Sequence, residues 1–329
     1  MNRTSVRHLV LALLFAASGA TATQAAGMPV AAKLPDGRVL SFHCAGHGAP
    51  TVVLESGWAA DSAAWRKVVP LLSGEMRVCA YDRPGSGRSD AGPLPRDGAA
   101  IARDLDDGLR AAGIGGPFLL VGHSAGGLYI RHFALRRPAD IAGLVLVDSS
   151  IAHQQRRFEA IFGPGAGSLD GLIARSRRCL EALSAAPRPG SAPDAASSPD
   201  FGADPVPARC RVVPPDAAIG RWSARLSELE TLGGTTSTAL DGGEPHLAHV
   251  PVIVLTAGKS RPPPVLDIWA GFHREIAAAS VCGTARVVDD SGHMMIFDRP
   301  DAIADAVREV SALHMAALRS GKPCTRGPP

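Results

Sequence analysis

The chain of 329 residues lacks a strong excess of either charge, since 34 basic against 31 acidic side chains leave a formal net charge of +3. No basic run is longer than an Arg-Arg pair. Nucleic acid and anionic membrane surfaces call for a clustered positive footprint, so neither is expected as a partner. The 6 cysteines contain no Cys-x-x-Cys pair, which removes zinc-ribbon and dithiol-redox frameworks. Beyond residue 26 there is no second long apolar stretch, so no membrane span is expected. An internal repeat is also absent. With 46% hydrophobic and 20% charged residues, the composition excludes wholesale disorder.

What is present begins with an address. Arg3, Arg7 and His8 precede the apolar run Leu9–Ala17, and small residues fill Ser18–Ala26. That order reads as a secretory signal peptide over residues 1–25, with exits after Ala22 or Ala25. A membrane span needs roughly 20 apolar residues, about twice what this run offers. No cysteine follows the run directly, so a lipid anchor is not indicated. Export to the periplasm or the medium is therefore expected, with a nearly neutral mature chain. In an oxidising compartment the even set Cys44, Cys79, Cys179, Cys210, Cys282 and Cys324 reads as disulfides, with their connectivity left open.

From Val39 onward, strand-like apolar runs alternate with helix-period segments. Strands are expected at residues 39–42, 51–55, 76–81, 117–121, 143–147, 251–257 and 285–289. Helices are expected at 61–72, with Asp61 or Ser62 as cap, and at 98–112, 125–136 and 301–318. This alternation implies βαβ units and a largely parallel sheet. Between residues 151 and 250 the rhythm breaks. Leu169, Leu172, Ile173, Leu180 and Leu183 mark one amphipathic helix there, and 186–207 reads as an exposed loop. The insertion reads as a cap over the sheet's C-terminal edge, dividing a core of 26–150 and 251–329.

Gly122-His-Ser-Ala-Gly126 matches G-x-S-x-G, a weak pattern alone. Here an apolar strand runs into it and a helix runs out, the context of a nucleophile elbow. Ser124 would project at the helix N-terminus, with the Ala125 amide free to meet a developing oxyanion. A serine alcohol needs a base, and His293, after the last strand and before the final helix, can reach the elbow across the sheet. His123 reads as packing, because neighbours of the serine project away from it. His246 and His249 have metal-like spacing without a supporting helix or carboxylate, and read as surface linker.

With these residues in place, the chain resembles the α/β-hydrolase superfamily, on its serine-esterase side, over residues 34–318. Leu54-Glu-Ser-Gly-Trp58, Tyr81-Asp-Arg-Pro-Gly-Ser-Gly-Arg-Ser-Asp90, the elbow, and Ser291-Gly-His293 with Asp298-Arg-Pro300 carry the resemblance in the family's order. It implies a mostly parallel eight-stranded sheet flanked by helices, with a helical cap after the sixth strand. It also implies an oxyanion hole from the backbone amides of Trp58 and Ala125. Asp82, Arg83 and Asp90 would hold a turn near the site. Trp222, Trp269 and Met294 would be core or pocket lining.

The serine at the elbow stands apart from the carboxylate of the superfamily's epoxide hydrolases and haloalkane dehalogenases, and no H-G-G-G motif is present. Many relatives place the triad acid just after the strand written here as Val252–Leu255, but Thr256-Ala-Gly-Lys-Ser-Arg-Pro262 contains none. Asp148, at the end of the preceding strand, is the first candidate and Asp267 the alternative; Asp289 and Asp290 lie too close to His293 along the chain. The fold favours pairing Cys44 with Cys79. Cys179 and Cys210 flank the cap loop, which leaves Cys282 with Cys324. The implied activity is hydrolysis of a carboxylic ester or related acyl bond, on a small-molecule or acyl substrate, with no cofactor and no metal. An aminopeptidase or amidase, using cap acids such as Glu228 or Glu230, is the alternative enzyme. A non-catalytic binding protein is the third reading.

Overall fold

A computed structural model describes residues 29–185, Cys210, 215–242 and 244–324. The signal-peptide segment, the loop 186–207 and the last five residues lie outside the described residues. The strands are β1 Pro29–Lys33, β2 Val39–Ala45, β3 Thr51–Glu55, β4 Val78–Tyr81, β5 Phe118–His123, β6 Ile141–Val147, β7 Val252–Ala257 and β8 Thr284–Val288. They form one sheet in the order β1-β2-β4-β3-β5-β6-β7-β8. Only β2 runs against the others, pairing antiparallel with β1 and β4.

Helices fill the connections. They are α1 Val69–Leu72, α2 Gly98–Ala111, α3 Gly126–Arg136, α4 Gln154–Phe162, α5 Asp170–Ala185, α6 Pro215–Leu232, α7 Thr235–Thr238, α8 Pro263–Ala277, α9 Met295–Asp298 and α10 Pro300–Ser320. The central strands β3 to β7 are buried at every position and mostly apolar, because both faces are covered, as a parallel sheet requires. Alternate residues feed two separate cores. Leu119 and Val121 of β5 join Trp65, Leu72, Ile303, Val307 and Val310 on the face covered by α1 and α10. Phe118 and Leu120 join Leu105, Leu109, Ile130 and Phe133 on the face covered by α2 and α3.

The structure departs from the sequence reading at three places. The helix expected over 61–72 is a 3-10 turn, Ser62–Trp65, capped by Asp61 and followed by the separate turn α1. Pro70 sits in the first turn of α1, where its missing N–H costs nothing; inside a continuous helix it would break a hydrogen bond. Prolines likewise open α8, at Pro263, and α6, at Pro215, two helices absent from the sequence reading. Strand β1, ahead of Leu34, was not anticipated segment by segment and pairs along its whole length with β2.

The insertion between β6 and β7 carries α4 to α7. Cys179 of α5 is bonded to Cys210 ahead of α6, and Trp222 packs on that bridge while donating to the Cys210 carbonyl at 2.9 Å. Cys44 bonds Cys79 across the β2–β4 ladder, where the two are directly opposed. Cys282 bonds Cys324, fixing the chain after α10 beside the end of α8. Peptide mapping without reductant is expected to recover these three pairs. The Cys44→Ala/Cys79→Ala variant should lose about 2–4 kcal/mol in urea unfolding, since the bridge closes a segment of intermediate length. Six free thiols in the native protein would contradict this arrangement.

Candidate active site

Strands β5 and β6 end in register, with His123 opposite Val147. Ser124 and Asp148 are therefore the first residues off two neighbouring strand ends, on the edge where open α/β sheets place their ligands. Both leave the sheet through a left-handed backbone, φ 54° at Ser124 and 37° at Asp148. Side chains rarely adopt that region, and where they do so the surroundings must hold them. At Ser124 the glycines do the holding. A Cβ on Gly122 would lie 2.6 Å from the Gly126 carbonyl oxygen, and one on Gly126 2.5 Å from that of Glu55. The turn closes only because both lack one.

Ser124 Oγ lies 3.1 Å from His293 Nε2, and His293 Nδ1 donates to Asp148 Oδ2 at 2.6 Å. A carboxylate only accepts, so the proton sits on Nδ1 and leaves Nε2 bare to accept from the serine hydroxyl. Asp148 is fully buried. Its Oδ1 accepts from Trp269 Nε1 at 2.9 Å and from the Ala257 amide at 3.2 Å. Burial alone would push this carboxyl up. The bonds and charge from His293, the Trp269 donor and the Arg261 charge outweigh it and hold the pKa below the usual value. Asp267, in contrast, is exposed on α8; the acid that meets His293 is Asp148.

The Gly57–Trp58 segment lies against the elbow, where a Cβ on Gly57 would come within 3.1 Å of Ser124 Cβ. The backbone amides of Trp58 and Ala125 donate to no group among the described residues. Arg83 fixes this segment from beneath. Its Nη1 donates to the Ser56 carbonyl at 2.5 Å and to Glu55 Oε1 at 2.6 Å, and its Nη2 to the Gly57 carbonyl at 2.8 Å. Its Nε reaches Glu228 Oε1 of α6 at 3.1 Å. Burial works against the guanidinium charge, but the two carboxylates overcome it and raise the pKa, so Arg83 stays charged. The Trp58 indole adds a second tie to the cap, donating to the Arg225 carbonyl at 2.9 Å.

These contacts revise several sequence readings. The Arg83 side chain holds the segment beside the serine, while Asp82 and Asp90 accept from the backbone around its own turn. Glu228 is spent on Arg83, and Glu230 pairs with Arg177 on the surface at 2.6 Å, so neither stands free to hold a substrate amine. Trp269 is buried and supports Asp148, Trp222 belongs to the cap core, and Met294 is exposed at the cavity. His123 does more than pack: its Nε2 donates to the His293 carbonyl at 2.8 Å, anchoring the loop that carries His293. The cavity above these groups measures about 420 Å³ and is walled by Trp58, Leu172, Leu229 and Leu232 opposite Arg261 and Met294.

Residues 50–300 match the profile of the family described as alpha/beta hydrolase fold. RutD of Klebsiella pneumoniae strain 342, classed provisionally as a carbamate hydrolase, is 39% identical over 116 residues, covering 34% of this chain and 43% of that protein. The chain spans less than half the length of the curated relatives it matches first. Among solved structures, a thermophilic esterase from Thermogutta terrifontis superimposes with a TM-score of 0.56 at 23% identity, over 86% of this chain and 97% of that one. The epoxide hydrolase CorEH superimposes with a TM-score of 0.58 at 22% identity, over 87% and 98%. At such identities these two likenesses concern the fold alone.

His123 also sets a pH dependence. Burial, helped by the nearby His293 charge, lowers its pKa from 6.5 to about 4. Between those values the unfolded chain binds a proton that the folded chain refuses. Stability is thus fully present above pH 6.5 and falls as the pH drops toward 4, by on the order of 3 kcal/mol for the whole shift. The His123→Gln variant should show a flatter fall in urea midpoint over that window. An unchanged slope would assign the loss to other groups.

Proposed function

The chain belongs to the α/β-hydrolase-fold family, matched over residues 50–300, and from that premise we propose that it is an exported serine hydrolase of carboxylic esters or related acyl bonds. The observation that carries the reading is the unbroken hydrogen-bonded line from Ser124 through His293 to Asp148, opening into a cavity. Ser124 Oγ attacks the carbonyl carbon while His293 Nε2 takes its proton. The negative charge that develops on the carbonyl oxygen is met by the Trp58 and Ala125 amides, free donors beside the serine. Asp148 keeps the imidazole in the useful tautomer and offsets the positive charge it gains. Collapse of the tetrahedral species expels the alcohol, which leaves with the proton from His293. Water then attacks the acyl-enzyme, giving its proton to His293, and Ser124 departs with that proton as the acid is released.

The provisional carbamate-hydrolase description of RutD keeps carbamates within the proposed substrate class. Export is supported by the leader-like sequence of residues 1–25 and by three disulfides. Among the described residues no helix is long and apolar enough to cross a membrane.

A fluorophosphonate should label the protein covalently, and Ser124→Ala should abolish the labelling; full labelling of that variant would remove Ser124 from the role. Asp148→Asn should lower kcat on a p-nitrophenyl ester by about three to four orders of magnitude with the fold preserved by circular dichroism. Asp267→Asn should stay near the parent rate. The reverse pattern would move the acid to Asp267.

A further inference from the structure

We propose that Arg261 is an anion-recognition residue in this cavity, and that the substrate of the proposed hydrolase carries a carboxylate or similar anionic group within its reach. The inference rests on the serine-hydrolase reading and deepens it. Arg261 lines the cavity beside Trp269, His293 and Ser124, with 22% of its side chain exposed. The guanidinium carbon lies over the Trp269 ring, 3.9 Å from its centroid, a cation–π contact that holds the donor fork without using its N–H groups.

Those donors are mostly free. Nη1 donates to Ser260 Oγ at 3.0 Å, whereas Nε and Nη2 have no acceptor among the described residues. The nearest carboxylate, Asp148, has its Oδ2 3.6 Å from Nη1, beyond a hydrogen bond. Asp148 is already engaged by His293, Trp269 and Ala257. It is also fully buried, so a substrate group cannot reach its oxygens. Among the lining residues described, Asp148 is the one carboxylate and Arg261 the one permanent cation. What a substrate meets is therefore the guanidinium and not the carboxylate, a part-desolvated fork of the geometry that binds carboxylates in a bidentate manner.

The alternative is that Arg261 acts only on Asp148 through space. That role would lower turnover of every ester alike, so a ratio separates the two. Mono-p-nitrophenyl glutarate is compared with p-nitrophenyl pentanoate, placing the charge on the acyl side. Then m-carboxyphenyl butyrate is compared with phenyl butyrate, placing it on the alcohol side. For at least one pair, the charged-to-neutral ratio of kcat/KM should fall about tenfold or more in Arg261→Met, with Arg261→Lys retaining more of it. A ratio that changes less than about twofold in both pairs, even if all rates fall together, would overturn the proposal. On the unmodified protein, glutarate should slow fluorophosphonate labelling at concentrations where pentane-1,5-diol does not; equal protection by the two would also overturn it. Absence of both labelling and turnover in the parent protein would instead bring down the serine-hydrolase reading and this proposal with it, so the two failures are distinguishable.

Discussion

The structure depends most on one steric constraint, the turn at which β5 becomes α3. The start of that helix lies so close to the end of β3 that Gly126 meets the carbonyl oxygens of Glu55 and Ser56, and Gly127 meets the Ser149 side chain. Three strand ends are thereby drawn against one helix N-terminus. The same closeness forces Ser124 into a left-handed backbone, aims its hydroxyl out of the sheet and leaves the Ala125 amide without an intrahelical partner. The strain is offset by what surrounds it: the Ser124 amide donates to the Val147 carbonyl at 3.1 Å, and the Ser124 carbonyl accepts from Ser150 at 2.9 Å. The left-handed geometry at this serine follows from packing, and no separate device is needed to explain it.

The segment opposite the turn is held by charge. Arg83 takes two backbone carbonyls and two carboxylates, one from the end of β3 and one from the cap helix α6. Tyr81 adds a hydrogen bond to Glu55. A buried network of this kind contributes little net stability, because desolvation consumes most of the Coulombic gain, yet removing one member leaves an uncompensated charge. Its effect here is one of register. The cap can seat on the core in the arrangement that brings Glu228 to Arg83, and that arrangement also sets the height of Leu229 and Leu232 above the serine. Cavity shape and the amide of Trp58 are thus governed by the same guanidinium.

Much of this was legible in the sequence because the core strands are apolar at consecutive positions and the elbow glycines have no alternative use. Residues 51–55, 143–147 and 252–257 announce buried parallel strands by composition alone, and the serine and histidine follow from where the strands stop. Two kinds of feature were not legible. Pro70 reads as the interior of one helix over 61–72, and Pro215 and Pro263 do not read as starts, though a proline in the first turn is equally a helix start; only the tertiary context separates the cases. Long-range polar contacts were the other. His123 looks like a neighbour of Ser124 with nothing to do, and its bond to the His293 carbonyl spans 170 positions. Glu228 gives no sign in the sequence that its partner lies 145 residues away.

The acid and the cation form one rearrangement. Residues 256–262, where many α/β-hydrolases place a carboxylate, hold Lys259 and Arg261. The carboxylate stands one strand earlier, at Asp148. Since Val147 and Leu255 are register partners, moving the acid from the end of β7 to the end of β6 shifts it by a single strand spacing, near 4.8 Å. A histidine side chain on the loop after β8 can absorb that distance. The exchange does two things at once. It buries the carboxylate under Trp269, hydrogen-bonded to His293, Trp269 and Ala257, and it leaves the β7 loop to turn a guanidinium toward the cavity, with Nη1 3.6 Å from that carboxylate. With its oxygens taken by those donors, the carboxylate makes only the 3.6 Å contact with Nη1, and Nε and Nη2 stay open to a ligand.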